Sequence, residues 1–105
     1  MEKRFDIEYL DIAINDLKEI LDFISLDNVQ AARVLLDKID HSIDKLSFFP
    51  EMGVIPKDNK LKKSGYRILI VEDYLVFYIF KNEKIEIRRV IYGRRNYEYL
   101  LVTNY

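Results

Sequence analysis

Four arginines and three tyrosines fall within twelve residues near the carboxyl end of the chain, from Arg88 to Tyr99. A guanidinium fork matches the shape and charge of a phosphate, and a tyrosine ring stacks on a base. The segment therefore predicts a surface that contacts phosphate or nucleic acid, with Arg88, Arg94, Arg95 and Tyr99 as contacts. We expect these arginines to gather on one uncovered side of the molecule.

Other cations extend this predicted surface. Lys62 and Lys63 lie in a lysine-rich segment, and Arg67 follows it closely. Such a cluster stabilises the extra negative charge of a phosphodiester transition state, while a lysine or a tyrosine with a lowered pKa moves the proton. The residues thus allow cleavage without a metal, although nothing in their spacing shows that they converge.

A structural interpretation of the same residues stays open. In it, Arg88 pairs with Glu86 or with a helix acid, and Tyr97 and Tyr99 anchor the tail on the sheet. Composition alone slightly favours this structural interpretation.

Several kinds of site are not predicted. The chain has no cysteine, which excludes disulfides and thiolate chemistry, and it has no Gly-rich phosphate loop. His41, the one histidine, lies among three aspartates on a predicted helix and is interpreted as a solvated surface residue. We therefore predict no metal and no cofactor.

Charge is distributed unevenly along the chain. The net charge is −1, yet residues 1–56 carry −6 and residues 57–105 carry +5. This asymmetry indicates either an acidic scaffold with a basic working surface or two halves that neutralise each other. A sequence pI near 5.8 weakens any case for strong non-specific affinity for nucleic acid.

Length and hydropathy limit the class of protein. A chain of 105 residues with half of them hydrophobic predicts one small domain over residues 1–105. The longest apolar run, seven residues, is too short to cross a bilayer, and the charged start does not resemble a signal peptide. We expect a cytoplasmic protein that does not enter a membrane.

The first half of the chain predicts one strand and two helices. Apolar and polar residues alternate over Arg4–Tyr9, and a helical stripe then runs to about Ile24. Asp27 or Asn28 can cap a second helix that reaches about Phe48, before Pro50. So short a connection predicts an antiparallel helical hairpin.

The second half predicts a basic loop and three strands. The loop covers residues 51–65, and the strands are Tyr66–Val71, Tyr74–Phe80 and Lys84–Tyr92. Short connections favour an antiparallel meander. The predicted fold is α+β, with the hairpin on one face of a small, mainly antiparallel four-stranded sheet and the other face left open.

One position in the last strand breaks the alternation. Arg89 falls on the same face as Ile87 and Ile91, which are apolar. Either a bulge intervenes, or an arginine lies against the core. After Gly93, residues 94–102 can form one or two helical turns.

Four segments in this order resemble the RelE/ParE superfamily, the toxins of bacterial type II toxin–antitoxin modules: Leu46–Gly53, Tyr66–Val71, Tyr74–Tyr78 and Arg89–Arg95. The resemblance covers about residues 3–101 and implies an antitoxin partner that wraps and inhibits the toxin. RelE-like members are ribosome-dependent endonucleases that cut mRNA. ParE-like members poison DNA gyrase.

The resemblance assigns roles to particular residues. Arg67 stands where RelE-like proteins have a basic residue, Arg94 or Arg95 matches their arginine after the last strand, and Tyr97 or Tyr99 could supply their late tyrosine. In a RelE-like enzyme, we expect Arg67, Arg95 and Tyr97 to supply transition-state and proton-transfer groups. RelE-like chains usually carry an arginine where this chain has Leu75, so the segment resembles the ParE branch. Whether the chain is an enzyme stays open on the sequence.

Three functional hypotheses follow. The first is a gyrase poison that contacts its target through Arg88, Arg94 and Arg95. The second is a ribosome-dependent mRNA endonuclease, and the third is an inert member that only binds its antitoxin. Without the antitoxin, an exposed apolar surface predicts a poorly behaved chain or a homodimer.

Overall fold

The helices and strands follow the periodicity of the sequence. The computed structural model describes residues 4–97, apart from the side chains of Arg95 and Asn96. In chain order, the elements of this part of the chain are β1 (Asp6–Tyr9), α1 (Asp11–Ser25), α2 (Val29–Asp44), a 3-10 turn (Lys45–Ser47), α3 (Asn59–Lys63), β2 (Tyr66–Val71), β3 (Tyr74–Lys81), β4 (Lys84–Tyr92) and a second 3-10 turn (Arg94–Tyr97).

Helices α1 and α2 form the predicted hairpin, with Asn28 as the cap of α2. The Asn28 side chain accepts a hydrogen bond from the Ala31 backbone N–H at 3.0 Å, which satisfies one of the unpaired donors at the start of the helix. The helix ends at Asp44 rather than near Phe48, because the chain tightens into a 3-10 turn before it reaches Pro50.

The sheet has the strand order β1-β4-β3-β2. β1 runs parallel to β4, and β2, β3 and β4 are antiparallel neighbours. Asn82 and Glu83, which join β3 to β4, both have positive φ, as a tight two-residue hairpin turn requires. The α+β fold with a mainly antiparallel four-stranded sheet is confirmed.

A bulge in β4 settles the position of Arg89. Phe77 pairs with Arg89 and Tyr78 pairs with Ile87, so Arg88 is the extra residue. Ile87 and Val90 therefore both reach the core beneath the helices. Of the two alternatives for Arg89, the bulge is confirmed.

The main core lies between the hairpin and the sheet. It combines apolar residues of α1, α2 and three strands, and a single aromatic residue, Tyr78, is wholly buried in it. Its buried members are Ala13, Ile39, Ile43, Leu46, Leu69, Val71, Val76, Tyr78, Ile85, Ile87 and Val90.

The opposite face of the sheet carries a second, smaller core. Ile68, Leu75 and Phe77 are buried there, and Leu61 of α3 and Tyr97 pack against them. The prediction that this face is left open is therefore wrong for its centre. The error arises because residues 51–65 are not all loop: Leu61 gives a short helix an apolar anchor on the sheet.

A turn at residues 50–53 is fixed by the buried Tyr78. The Tyr78 hydroxyl donates to the Pro50 carbonyl at 2.8 Å and accepts from the Gly53 N–H at 2.9 Å. A Cβ on Gly53 would lie 2.6 Å from that hydroxyl oxygen, so only glycine fits. Within residues 4–97, no helix is long and apolar enough to cross a bilayer.

Candidate functional site: the basic carboxyl-terminal segment and helix α3

Arg67 lies on the helix side of the sheet, where it helps to hold the 50–53 turn. Its Nη1 donates to the carbonyls of Glu51 and Gly53 at 3.1 Å each. Tyr66 and Ile68, its neighbours in β2, face the other side, where Tyr97 packs. The structure therefore does not bring Arg67 and Tyr97, two of the three residues assigned to RelE-like catalysis, together.

Arg88 is paired within the sheet, as the structural interpretation of the sequence predicts. Its Nη1 donates to Glu86, and its guanidinium lies over the Tyr66 ring at 5.6 Å. The hydrogen bond to Glu86 raises the pKa of Arg88. Arg88 thus lines a polar cleft of the sheet with its charge largely balanced.

Arg89 is held by a carboxylate of α1 that the sequence pattern did not single out. Asp16 accepts from Arg89 Nε at 2.7 Å and Nη2 at 3.1 Å, and also from the Val90 N–H at 3.0 Å. The Asp16 side chain is only 10% exposed. β1 ends opposite Ile87, so Asp16 covers the part of the β4 edge that β1 leaves unpaired.

The arginines therefore do not gather on one uncovered side, and that prediction is wrong for Arg88 and Arg89. The reason is physical: each guanidinium had a carboxylate within reach, on β4 itself or on α1. A pairing between residues 16 and 89 depends on the tertiary fold, and no periodicity in the sequence indicates it.

The basic segment begins at a fixed point. Gly93 has a φ of +103°, and the N–H groups of Gly93 and Arg94 both donate to the Asp73 carbonyl at 3.0 Å. The Arg94 side chain is exposed and contacts no acid among residues 4–97. The Arg95 side chain and all of Tyr99 lie outside the described part of the chain.

Helix α3 presents Lys62 and Lys63 to solvent. The Asp58 side chain caps the helix by accepting from the Leu61 N–H at 3.0 Å, and Leu61 packs on the second core. Both lysines are exposed and contact no acid among residues 4–97. Their role as target contacts stays a prediction.

The geometry gives little support for phosphodiester cleavage. Leu75, where a RelE-like chain would carry an arginine, is 0% exposed and belongs to the second core together with Ile68 and Phe77. Burial raises the pKa of Tyr9 to about 12 and raises the pKa of Tyr74 and Tyr78, so these hydroxyls keep their protons near neutral pH.

The described residues contain no candidate metal site. Within residues 4–97, no group of three or more His, Asp or Glu side chains is arranged to hold a metal ion. His41 is exposed on α2, as its surface interpretation predicts.

The fold defines a class: small α+β domains in which a helical hairpin packs on a four-stranded, mainly antiparallel sheet. A solved structure described as the chromosomal ParDE toxin–antitoxin system from P. aeruginosa matches this fold with a TM-score of 0.70. It is 19% identical in sequence, and the match covers 87% of this chain and 98% of that one. No curated protein matches the chain.

A family model places the chain more closely. The model of the ParE toxin of type II toxin–antitoxin systems, parDE, matches residues 7–97. This chain belongs to the ParE toxin family, and it is the toxin component of a type II module. The resemblance to the ParE branch is confirmed.

Proposed function

We propose that this chain inhibits growth by poisoning DNA gyrase, and that it acts by binding rather than by cutting RNA. The observation that carries the proposal is the burial of Leu75. A RelE-like enzyme would place an arginine there, whereas this chain places an apolar residue that contacts Ile68 and Phe77.

The remaining geometry agrees with a binding mode. Arg67 is tied to the 50–53 turn on one face of the sheet, and Tyr97 packs on the other. A catalytic set must lie within about 3 Å of the reacting atoms, so groups on opposite faces cannot form one. ParE family membership favours gyrase as the target.

The segment from Gly93 onward is our candidate for the target contact. Arg94 is exposed at its start, and Arg95 and Tyr99 follow in the sequence. The Asp73 carbonyl binds the N–H groups at which this segment leaves the sheet, and the Asp16 side chain binds the Val90 N–H near the end of β4. Arg88, Lys62 and Lys63 stay secondary candidates.

A cognate antitoxin is the proposed partner, and the helical hairpin is its candidate surface. Large apolar side chains stand in solvent along it, among them Phe23 at 75% and Leu26 at 86% exposure. On the same hairpin, Ile14, Leu21 and Leu36 line a mostly apolar groove. A surface of this kind costs solubility unless a partner covers it.

The same surface gives the free chain a tendency to pair with itself, so we propose a homodimer when the antitoxin is absent. Sedimentation of the chain alone and with its antitoxin tests this. We expect dimers alone and a defined complex with the antitoxin, in the cytoplasm of the producing cell. A monodisperse monomer at high concentration would contradict the dimer.

Brief induction in bacterial cells tests the proposed target. We expect a DNA-damage response and filamentation, with protein synthesis continuing at first. Arg94→Ala with Arg95→Ala should abolish toxicity, while Arg33→Ala, an exposed arginine on α2, should retain it. Immediate arrest of translation with cleaved transcripts would contradict the proposal and favour the endonuclease.

A further inference from the structure

The molecule is electrically polarised across its sheet. Residues 11–44, which include the hairpin, contain eight acidic residues and three lysines or arginines. On the other side of the sheet, α3 and the neighbouring ends of β3 and β4 carry one acidic residue, Glu86, and six cations: Lys60, Lys62, Lys63, Lys81, Lys84 and Arg88. We name these six residues the lysine face.

Helix α3 joins the rest of the lysine face through Ser64. Ser64, directly after α3, lines a cleft of the sheet together with Lys81, Lys84, Glu86 and Arg88. Gly65, with a φ of +85°, then turns the chain into β2. The Asp58 side chain caps α3, and Leu61 packs α3 against the sheet. The backbone of the α3 lysines is therefore held in one position relative to the sheet.

Four of the six charges on this face lack an acidic partner among residues 4–97. Lys84 pairs with Glu8 at 3.2 Å and Arg88 pairs with Glu86. Lys60, Lys62, Lys63 and Lys81 are exposed and contact no carboxylate in that part of the chain. An unpaired group of like charges has a strong electrostatic attraction for a polyanion.

We propose that the lysine face binds the phosphate backbone of duplex DNA directly, without reading its sequence. Lysines meet phosphates as point charges and lack the fork that arginine uses to recognise guanine. The aromatic ring beside the cleft, Tyr66, is half-buried under Arg88 and so offers no free face on which an unpaired base could stack. The covered ring favours a duplex over a single strand, and the lysines favour binding that does not depend on sequence.

This contact goes beyond the inhibition of gyrase and does not require gyrase to be the target. The acidic hairpin, on the far side of the sheet, is repelled by DNA, so the charge separation orients the molecule with the lysine face toward the duplex. The overall charge of −1 hides this separation, which the sequence shows only as an acidic first half and a basic second half of the chain.

The salt dependence of binding to a 20-base-pair duplex tests the proposal, with the full-length chain free of antitoxin and gyrase. Four phosphate contacts predict a slope of log K against log salt of about −3.6. Lys62→Gln with Lys63→Gln should reduce the slope to about −1.8 and weaken binding at least tenfold at 0.1 M salt.

A matched variant distinguishes the effect of the lysine face from the effect of a lower net charge. Arg33→Gln with Lys45→Gln removes two exposed cations from the hairpin side and should leave the slope unchanged. An equal effect of both variants, or no measurable duplex binding, would overturn the proposal. So would tighter binding of polyglutamate than of the duplex, because the face would then serve an acidic protein. None of these results bears on gyrase.

Discussion

Replacing Asp16 by alanine should destabilise the fold more than any other single change at an acidic residue of α1. The Asp16 carboxylate accepts two hydrogen bonds from Arg89 and one from the Val90 N–H. The Arg89 side chain is 45% exposed, so water can replace much of its lost hydrogen bonding. The Val90 N–H, in contrast, loses its acceptor. These losses together predict about 2 to 3 kcal/mol, from the usual worth of charged and buried hydrogen bonds.

Chemical and thermal denaturation measure this prediction. For a domain of this size, the expected fall in Tm is about 10 to 20 °C. Asp22→Ala is the matched control, because Asp22 is exposed and Lys18 is its only ion-pair partner among residues 4–97; this change should cost less than about 0.5 kcal/mol. Asp16→Asn, which keeps one acceptor oxygen, should fall between the two. If Asp16→Ala costs no more than the control, Asp16 does not hold the end of β4.

Three further predictions concern buried groups. Tyr78→Phe removes both hydrogen bonds to the 50–53 turn and should cost about 1 to 3 kcal/mol, while Tyr92→Phe, at an exposed ring, should be neutral by denaturant titration. Burial raises the pKa of Tyr9 to about 12 in the folded chain, so the unfolded chain loses this proton at lower pH. The free energy of unfolding should therefore fall by about 1.4 kcal/mol between low pH and pH 11. In Tyr9→Phe, this contribution to the fall should be absent. Leu75→Arg places a charge in the second core and should lower the free energy of unfolding by about 4 kcal/mol or more. Thermal melting followed by circular dichroism tests this, and a variant with the Tm of the wild type would refute it.

Much of the fold was predictable from the sequence because β1, α1 and α2 carry clear local signals. Alternation marks β1, a helical stripe marks α1, and Asn28 marks the start of α2. Helix α3 escaped prediction, since five residues are too few for a period and Leu61 acquires its meaning only from the sheet beneath it. The bulge at Arg88 left a visible break in the alternation, although two structures fitted that break.

The site was less predictable, because charge pairs form between residues distant in the chain. Arg89 and Asp16 are 73 residues apart, and Arg67 reaches back to Glu51 and Gly53. Composition counts guanidinium groups but does not show which of them are already paired. The sequence shows the lysines of α3. Only the fold shows that they lie on the side of the sheet opposite the acidic hairpin.

The most direct test of the proposed function uses purified DNA gyrase and supercoiled plasmid. Adding this chain should cause double-strand breaks to accumulate once the protein is removed with detergent and protease, and Arg94→Ala with Arg95→Ala should abolish the effect. Undamaged plasmid and normal supercoiling in the presence of the folded wild-type chain would contradict the account, all the more if the same preparation cuts mRNA on ribosomes.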